Sequence, residues 1–209
     1  MLSQLRIAVL VSGSGSNLQA LLDAQLSGLL YSGSIELVIS DNPKAYALER
    51  AKAASVQALA LDRKALGAEQ VEKRIFKALQ QERIDLIVLA GFLMILSPDF
   101  VRRFAGRIIN VHPSLLPAFG GKGYYGIKVH QAALARGVKL SGATIHLVNE
   151  ETDGGPILMQ KAVRVLKCDT PETLQQRIMR QAEWLILPRA TQMLCKQLLK
   201  EAHHEDNTP

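Results

Sequence analysis

Short apolar runs recur along the first half of the chain, each closed by polar or glycine-rich residues: 7–11 (IAVLV), 35–39 (IELVI) and 84–90 (IDLIVLA). Unbroken apolar runs of this length predict strands covered on both faces, as in a parallel sheet. Between them the period lengthens. Residues 17–26, 46–54 and 69–81 carry helical patterns, and in the last of these Val71, Ile75, Ala78 and Leu79 form one apolar face. The order strand, helix, strand, helix, helix, strand predicts right-handed crossover units. Ser97, Pro98 and Asp99 then open a short helix, with proline at its first position, that ends near Phe104; residues 107–111 (RIINV) predict another strand.

Downstream the texture changes. Residues 143–148 (ATIHLV) and 157–165 (ILMQKAVRV) alternate apolar and polar positions, as one-sided strands do, and a turn rich in Asp and Gly separates them. This predicts an antiparallel extension of the sheet. A final helix is expected from about Pro171 to Lys200, kinked at Pro188. A frayed tail over 201–209 follows, with His203 and His204 solvated.

Composition narrows the class. With 48% hydrophobic and 21% charged residues the chain is neither a disordered tail nor a fibrous repeat. Its longest apolar run, 86–96, has eleven residues, against the roughly 18 to 20 that a membrane span needs. The apolar stretch before the first glycines is too short for a signal peptide, so the mature protein is expected to start here. Two cysteines, Cys168 and Cys195, without a CxxC partner form neither a disulfide framework nor a zinc pattern; reduced thiols in the cytoplasm are the expectation. The net charge of +6 is compatible with nucleic acid, an anionic membrane surface or small anionic ligands. The basic residues are interspersed with acids, as in 69–83 (EQVEKRIFKALQQER), and aromatic residues make up only 5%. Small anionic ligands are favoured over nucleic acid on that pattern.

Three segments carry candidate chemistry. Residues 12–17 (SGSGSN) join the first strand to the first helix, where glycine permits close backbone approach and the helix start presents unpaired N–H groups to an anion. They match neither the dinucleotide GxGxxG, because Asn17 and Leu18 stand where the third glycine is due, nor a Walker loop. A phosphate seat and a turn that caps the helix through Ser16 or Asn17 are both open readings. Asn110 and His112 lie two apart on the RIINV strand and so face the same side at its carboxyl end, where open α/β sheets place ligands. A stiff proline-bracketed loop, 113–117, follows them. Finally, Glu150, Glu151, Thr152, Asp153, Gly154 and Gly155 suit a tight turn; alternatively, Asp153 approaches His112 and raises its pKa.

The stretches SGSGSNLQALLDA, LAGFLMILSPDFV, RIINVHPSLLPAF and TDGGPIL occur in this order between about Ile7 and Glu183. Together they resemble the phosphoribosylglycinamide formyltransferases, the folate-dependent transformylases of purine synthesis. The resemblance implies an α/β fold: a Rossmann-like open, mainly parallel sheet with helices on both faces and an antiparallel extension in the C-terminal half. It further implies one domain with a phosphate-binding half over 1–106, a catalytic and folate-binding half over 107–200 and a flexible tail over 201–209. The expected reaction is formyl transfer from 10-formyltetrahydrofolate, the co-substrate, to the amine of glycinamide ribonucleotide, without a metal. Carried over by motif, the catalytic trio is Asn110, His112 and Asp153, and the ribonucleotide residues are Gly15, Ser16, Asn17 and Glu183. The folate pocket is Leu93, Met94, Ile95, Leu96, Asn110, Asn149, Glu150, Glu151, Thr152 and Asp153.

In that reading Asn110 and protonated His112 stabilise the oxyanion, Asp153 keeps the imidazole charged near neutral pH, and protons pass through His112 or an ordered water. The implied partners are small-molecule substrates, with no nucleic acid and no membrane, and the chain is expected as a monomer or weak homodimer. The alternatives are a formyltetrahydrofolate hydrolase and a non-catalytic nucleotide-binding module. Departures from the family pattern stand at four places. The 118–129 loop (AFGGKGYYGIKV) is longer than usual and reads as a mobile lid, with Lys122, Tyr124 and Tyr125 either touching substrate or solvated. Met94 stands where many members carry Arg, Glu69 lies near a position where some carry an Arg that contacts folate, and Trp184 replaces the usual His.

Overall fold

The computed structural model describes residues 4–205. Seven strands, β1 (Leu5–Val11), β2 (Gly33–Ser40), β3 (Gln57–Ala60), β4 (Leu86–Leu89), β5 (Ile108–His112), β6 (Leu140–Leu147) and β7 (Ile157–Arg164), form one sheet in the order β3-β2-β1-β4-β5-β6-β7. Pairing is parallel from β3 through β5 and antiparallel for β5–β6 and β6–β7. The sheet is thus the Rossmann-like, mainly parallel arrangement expected, with the antiparallel extension where alternation begins.

Successive side chains of β1 enter two different cores. Ile7, Val9 and Val11 pack on one face with Leu18, Leu21 and Leu22 of α1 (Ser16–Leu26), Leu174 and Ile178 of α7 (Pro171–Ile178), and Leu187 and Leu194 of α8 (Trp184–Glu205). Ala8 and Leu10 pack on the other face with Val71, Ile75 and Leu79 of α4 (Ala68–Gln81) and Phe100 of α5 (Pro98–Arg103). This two-sided burial explains the unbroken apolar run. The start of α5 follows from its residues: the Ser97 hydroxyl accepts from the Phe100 amide at 3.2 Å, Pro98 opens the helix, and Glu72 accepts from the Ser97 amide at 2.6 Å.

Several elements depart from the pattern-based expectation. β3 is an edge strand of four mostly exposed residues, so no apolar run announces it. The short α3 (Arg63–Leu66) is held by Asp62, whose side chain accepts from Lys64 and Ala65 amides. α2 (Ala47–Ala53) is where its pattern puts it. α6 (Ile127–Arg136) begins inside the stretch read as a loop, because its N-terminal neighbour Gly126 ends a glycine run that hides the helical period. The C-terminal helix changes register not at Pro188, which α8 contains, but in a π-helical turn at Met179–Glu183. That helix continues past Lys200 to Glu205, with His203 and His204 exposed on it; 206–209 lie outside the described residues.

The side chain of Leu10 is fully buried in the α4 and α5 core. Leu10→Ala is expected to cost about 3 kcal/mol of stability, the transfer and cavity cost of such truncations, as read by urea unfolding at neutral pH.

Candidate functional site

In an open α/β sheet, ligands bind beyond the carboxyl ends of the strands where strand order reverses. Here that point lies between β1 and β4, which are neighbours in the sheet although β2 and β3 intervene in the chain. A cavity of about 730 Å³ opens there, bordered by residues 12–17 after β1, 89–96 from the end of β4, 110–113 at the end of β5, 121–126 before α6, 148–153 after β6, and by Lys128, His146, Gln175, Met179 and Glu183. All the site residues expected from the sequence border this one cavity.

At the first wall, Gly15 precedes α1 with φ 72°, and no side chain caps the helix. A Cβ at Gly15 stands 2.8 Å from the Ala47 backbone, so α2 presses directly behind the turn. Arg50 braces it, donating through Nε to the Ser14 carbonyl at 2.9 Å. Asn17 does not cap α1; its amide donates to Glu183 Oε2 at 2.7 Å. Capping by Ser16 or Asn17 is therefore absent, and the first-turn N–H groups of α1 face the cavity unclaimed by any side chain. Glu183 reaches Asn17 because the π-helical turn rotates it inward, a common use of such turns. Glu183 is 6% exposed, and burial pushes its pKa up to about 7 against the opposing pull of the Asn17 amide.

At the second wall, Asn110 and His112 share one face of β5. Antiparallel pairing sets His146 of β6 directly opposite Asn110. His146 Nδ1 lies 2.9 Å from the Leu147 carbonyl and must donate to it, which leaves Nε2 to accept from the Asn110 amide at 3.2 Å. One N–H of Asn110 is spent on this contact, and the other remains available to the cavity. Asp153 has a left-handed backbone, φ 57°, at the end of the turn after β6. Its Oδ2 lies 3.4 Å from His112 Nδ1 and accepts from the Gly121 amide at 2.9 Å; its Oδ1 lies 3.6 Å from His146 Nε2. Gly155, two residues on, is required by close approach, since a Cβ there meets the Leu147 carbonyl. Asp153 is therefore both a turn residue and the neighbour of His112.

His112 Nε2 donates to the Phe119 carbonyl at 2.8 Å, so both ring nitrogens face protein acceptors. Burial nevertheless pulls its pKa below the ordinary value, and the Asp153 carboxylate, pulling upward, does not overcome it. The expected net raising of the His112 pKa by Asp153 is thus corrected: desolvation of a nearly enclosed imidazole outweighs one partly buried carboxylate. Asp153 itself is held below the ordinary carboxylate range: burial pushes it up, but His146, His112 and the Gly121 amide together outweigh that push. Behind the site, His130 on α6 is fully buried, neither ring nitrogen has a hydrogen-bond partner among the described residues, and burial, with His112 nearby, lowers its pKa to about 4.

His146 was not legible as a site residue, since the register that sets it opposite Asn110 has no signature along one strand. Among the departures from the family pattern, Met94 lies buried in the cavity wall, whereas Glu69 points away on α4 and pairs with Lys73 at 2.6 Å. Glu150 at the cavity rim pairs with Arg102 of α5 at 3.0 Å.

For Glu183, a folded pKa of about 7 above the ordinary 4.5 means that stability is fully present below pH 4.5 and is lost as pH rises through 7. At about pH 8 the loss is of order 3 kcal/mol. Glu183→Gln is expected to match the parent chain's stability near pH 4.5 and to exceed it by roughly that amount at about pH 8, as measured by urea titrations at the two pH values. An advantage that does not grow with pH contradicts a neutral buried carboxyl.

The formyl transferase family profile matches residues 5–191. Phosphoribosylglycinamide formyltransferase of Haemophilus influenzae is 43% identical over 184 residues, 88% of this chain and 84% of that protein. The trifunctional purine biosynthetic protein adenosine-3 of Drosophila melanogaster is 43% identical over 198 residues, 93% of this chain but 14% of that protein, so this chain spans a small part of its length. The crystal structure of glycinamide ribonucleotide transformylase 1 from Symbiobacterium toebii superposes with a TM-score of 0.86 at 41% identity, covering 93% of this chain and 89% of that one. With the family match running from β1 into α8, the chain belongs to the formyl transferase family.

Proposed function

We propose that the chain is a phosphoribosylglycinamide formyltransferase of purine biosynthesis, moving the formyl group of 10-formyltetrahydrofolate to the amine of glycinamide ribonucleotide. The observation that carries this reading is the convergence of an uncapped glycine turn, Glu183, and the Asn110, His112 and Asp153 cluster on one cavity. The family's named relatives supply the reaction class. Gly15, Ser16 and Asn17 receive the ribonucleotide phosphate at the start of α1, and Glu183, protonated up to about neutral pH, holds a polar group beside it. The folate enters the arm between 93–96 and 149–153, where the apolar Met94, Leu96 and Val148 cover a flat ring and backbone groups read its edge.

The substrate amine attacks the formyl carbon, the carbonyl π electrons move onto oxygen, and the bond to the folate nitrogen then breaks. The oxygen's growing charge is met by the free N–H of Asn110 and by His112 Nε2, which gives up the Phe119 carbonyl for it. Donors of this kind are worth roughly 3 to 4 kcal/mol each in the transition state. With His112 Nε2 donating to the oxygen and Nδ1 facing Asp153, the proton shed by the amine passes to the leaving folate nitrogen through an ordered water. Asp153 orients the ring and His146 holds the Asn110 amide. Free cysteines and the absence, among the described residues, of a helix long and apolar enough to cross a membrane accord with work in the cytoplasm on small-molecule substrates.

His112→Ala and Asp153→Asn are each expected to lower turnover about 100-fold or more while thermal melts by circular dichroism keep a cooperative transition. Absorbance of a 10-formylfolate with and without glycinamide ribonucleotide reads the reaction. Folate loss that needs no ribonucleotide indicates a hydrolase, and near-normal turnover in both variants rejects this reading.

A further inference from the structure

The cavity is electrostatically lopsided. Glu150, Glu151, Asp153 and Glu183 border it, while the glycine turn that receives the phosphate contributes amides and hydroxyls but no cation. Arg50, the base nearest that turn, spends Nε on the Ser14 carbonyl and Nη1 on Gln19 Oε1, and does not border the cavity. Among the described residues, the only lysines or arginines bordering it are Lys122 and Lys128. A phosphate carrying close to two negative charges meets only neutral amides and hydroxyls at that turn, which leave its charge uncompensated in a partly desolvated space, so a cation on the facing side stabilises it.

Those two lysines sit on the 118–129 segment with the tyrosines between them. Lys128 Nζ donates to the Tyr125 hydroxyl at 2.9 Å and stands 4.5 Å from the centre of that ring. The Tyr125 hydroxyl, accepting from Lys128, keeps its own proton to donate. Neither lysine forms an ion pair among the described residues, in contrast to Arg102, which is paired with Glu150 at the cavity rim, and to Arg177. The position of the segment distinguishes the two substrates. α6 packs against α7, which carries Gln175 and leads into the turn bearing Met179 and Glu183. The opposite arm is apolar, and its charged rim is acidic, at Glu150 and Glu151.

Building on the proposed reaction, we infer that Lys122 and the Lys128–Tyr125 pair form a cationic clamp that closes on the phosphate of the phosphoribosyl substrate from the side opposite the glycine turn. They set the affinity for the ribonucleotide, whereas the folate carboxylates lie outside their reach. Gly121 and Gly123, with φ 86° and 97°, give the segment backbone freedom at the lysine. The Gly121 amide on Asp153 links its position to the catalytic cluster.

The test compares the full chain with Lys122→Met, Lys128→Met and Lys128→Arg. Each Met variant is expected to raise the KM and the calorimetric Kd for glycinamide ribonucleotide by roughly 10-fold, the usual cost of losing one charge-assisted contact, while the KM for 10-formylfolate shifts by less than about 2-fold. Lys128→Arg keeps the charge and is expected to recover most of the affinity. Competition by inorganic phosphate against the ribonucleotide is expected to weaken in parallel in the Met variants. A rise confined to the folate KM assigns the lysines to the wrong anion and overturns the inference; so do unchanged constants for both substrates. Calorimetry without folate separates this from the proposed reaction: if the parent chain binds phosphate through these lysines yet transfers no formyl group, only the reaction assignment fails.

Discussion

The carboxylate of Asp153 joins three parts of the molecule that share no contact in sequence. One oxygen lies beside His112 at the end of β5 and accepts from Gly121 at the start of the glycine-rich segment; the other faces His146 on β6. Its left-handed backbone turns the side chain back over the sheet, and Gly155 lets the chain pass against the Leu147 carbonyl as it does so. Without this anion the two imidazoles and the segment that carries Lys122 have no common reference point. The parallel sheet supplies the floor of the cavity, but the shift to antiparallel pairing at β5–β6 makes the cluster, because it sets Asn110 against His146.

Burial decides the protonation states around that carboxylate more than proximity does. His112 lies against Asp153 and is still pulled down, His130 is pulled to about 4, and Glu183 is pushed up to about 7. Enclosed groups therefore tend toward neutrality, as expected where desolvation exceeds pairwise attraction. A site tuned in this way leaves room for charge to appear during the reaction. In the proposed reaction the oxyanion adds a second negative partner to the one that Asp153 already presents to His112, on donors set in place beforehand. The accessible positive charge is relegated to the rim, on Lys122 and Lys128.

Much of the frame was legible because burial on both faces leaves a plain trace in sequence. The runs at 7–11, 35–39 and 84–90 became β1, β2 and β4 within a few residues, and Ser97, Pro98 and Asp99 opened α5 as expected. Elements without such a trace were missed. β3 is an exposed edge, and α6 starts behind a glycine run. Pro188 drew attention to the wrong place, because the helix alters its register at Met179–Glu183 and then accommodates the proline. The site residues named from the sequence all border one cavity, yet His146 and Lys128 were not among them.

By itself, then, the sequence determined which segments form the covered strands, where a glycine turn precedes the first helix, and that Asn110 and His112 face the same way, since these depend on residue type and on periods of two and 3.6 residues. Tertiary structure alone decided that Asp153 meets His112, that His146 holds Asn110, and that burial lowers the His112 pKa against its neighbouring carboxylate. Those outcomes rest on strand register, on a π-helical turn and on the depth of each group below the surface. Such quantities arise from contacts between residues distant in the chain and have no local signature to read.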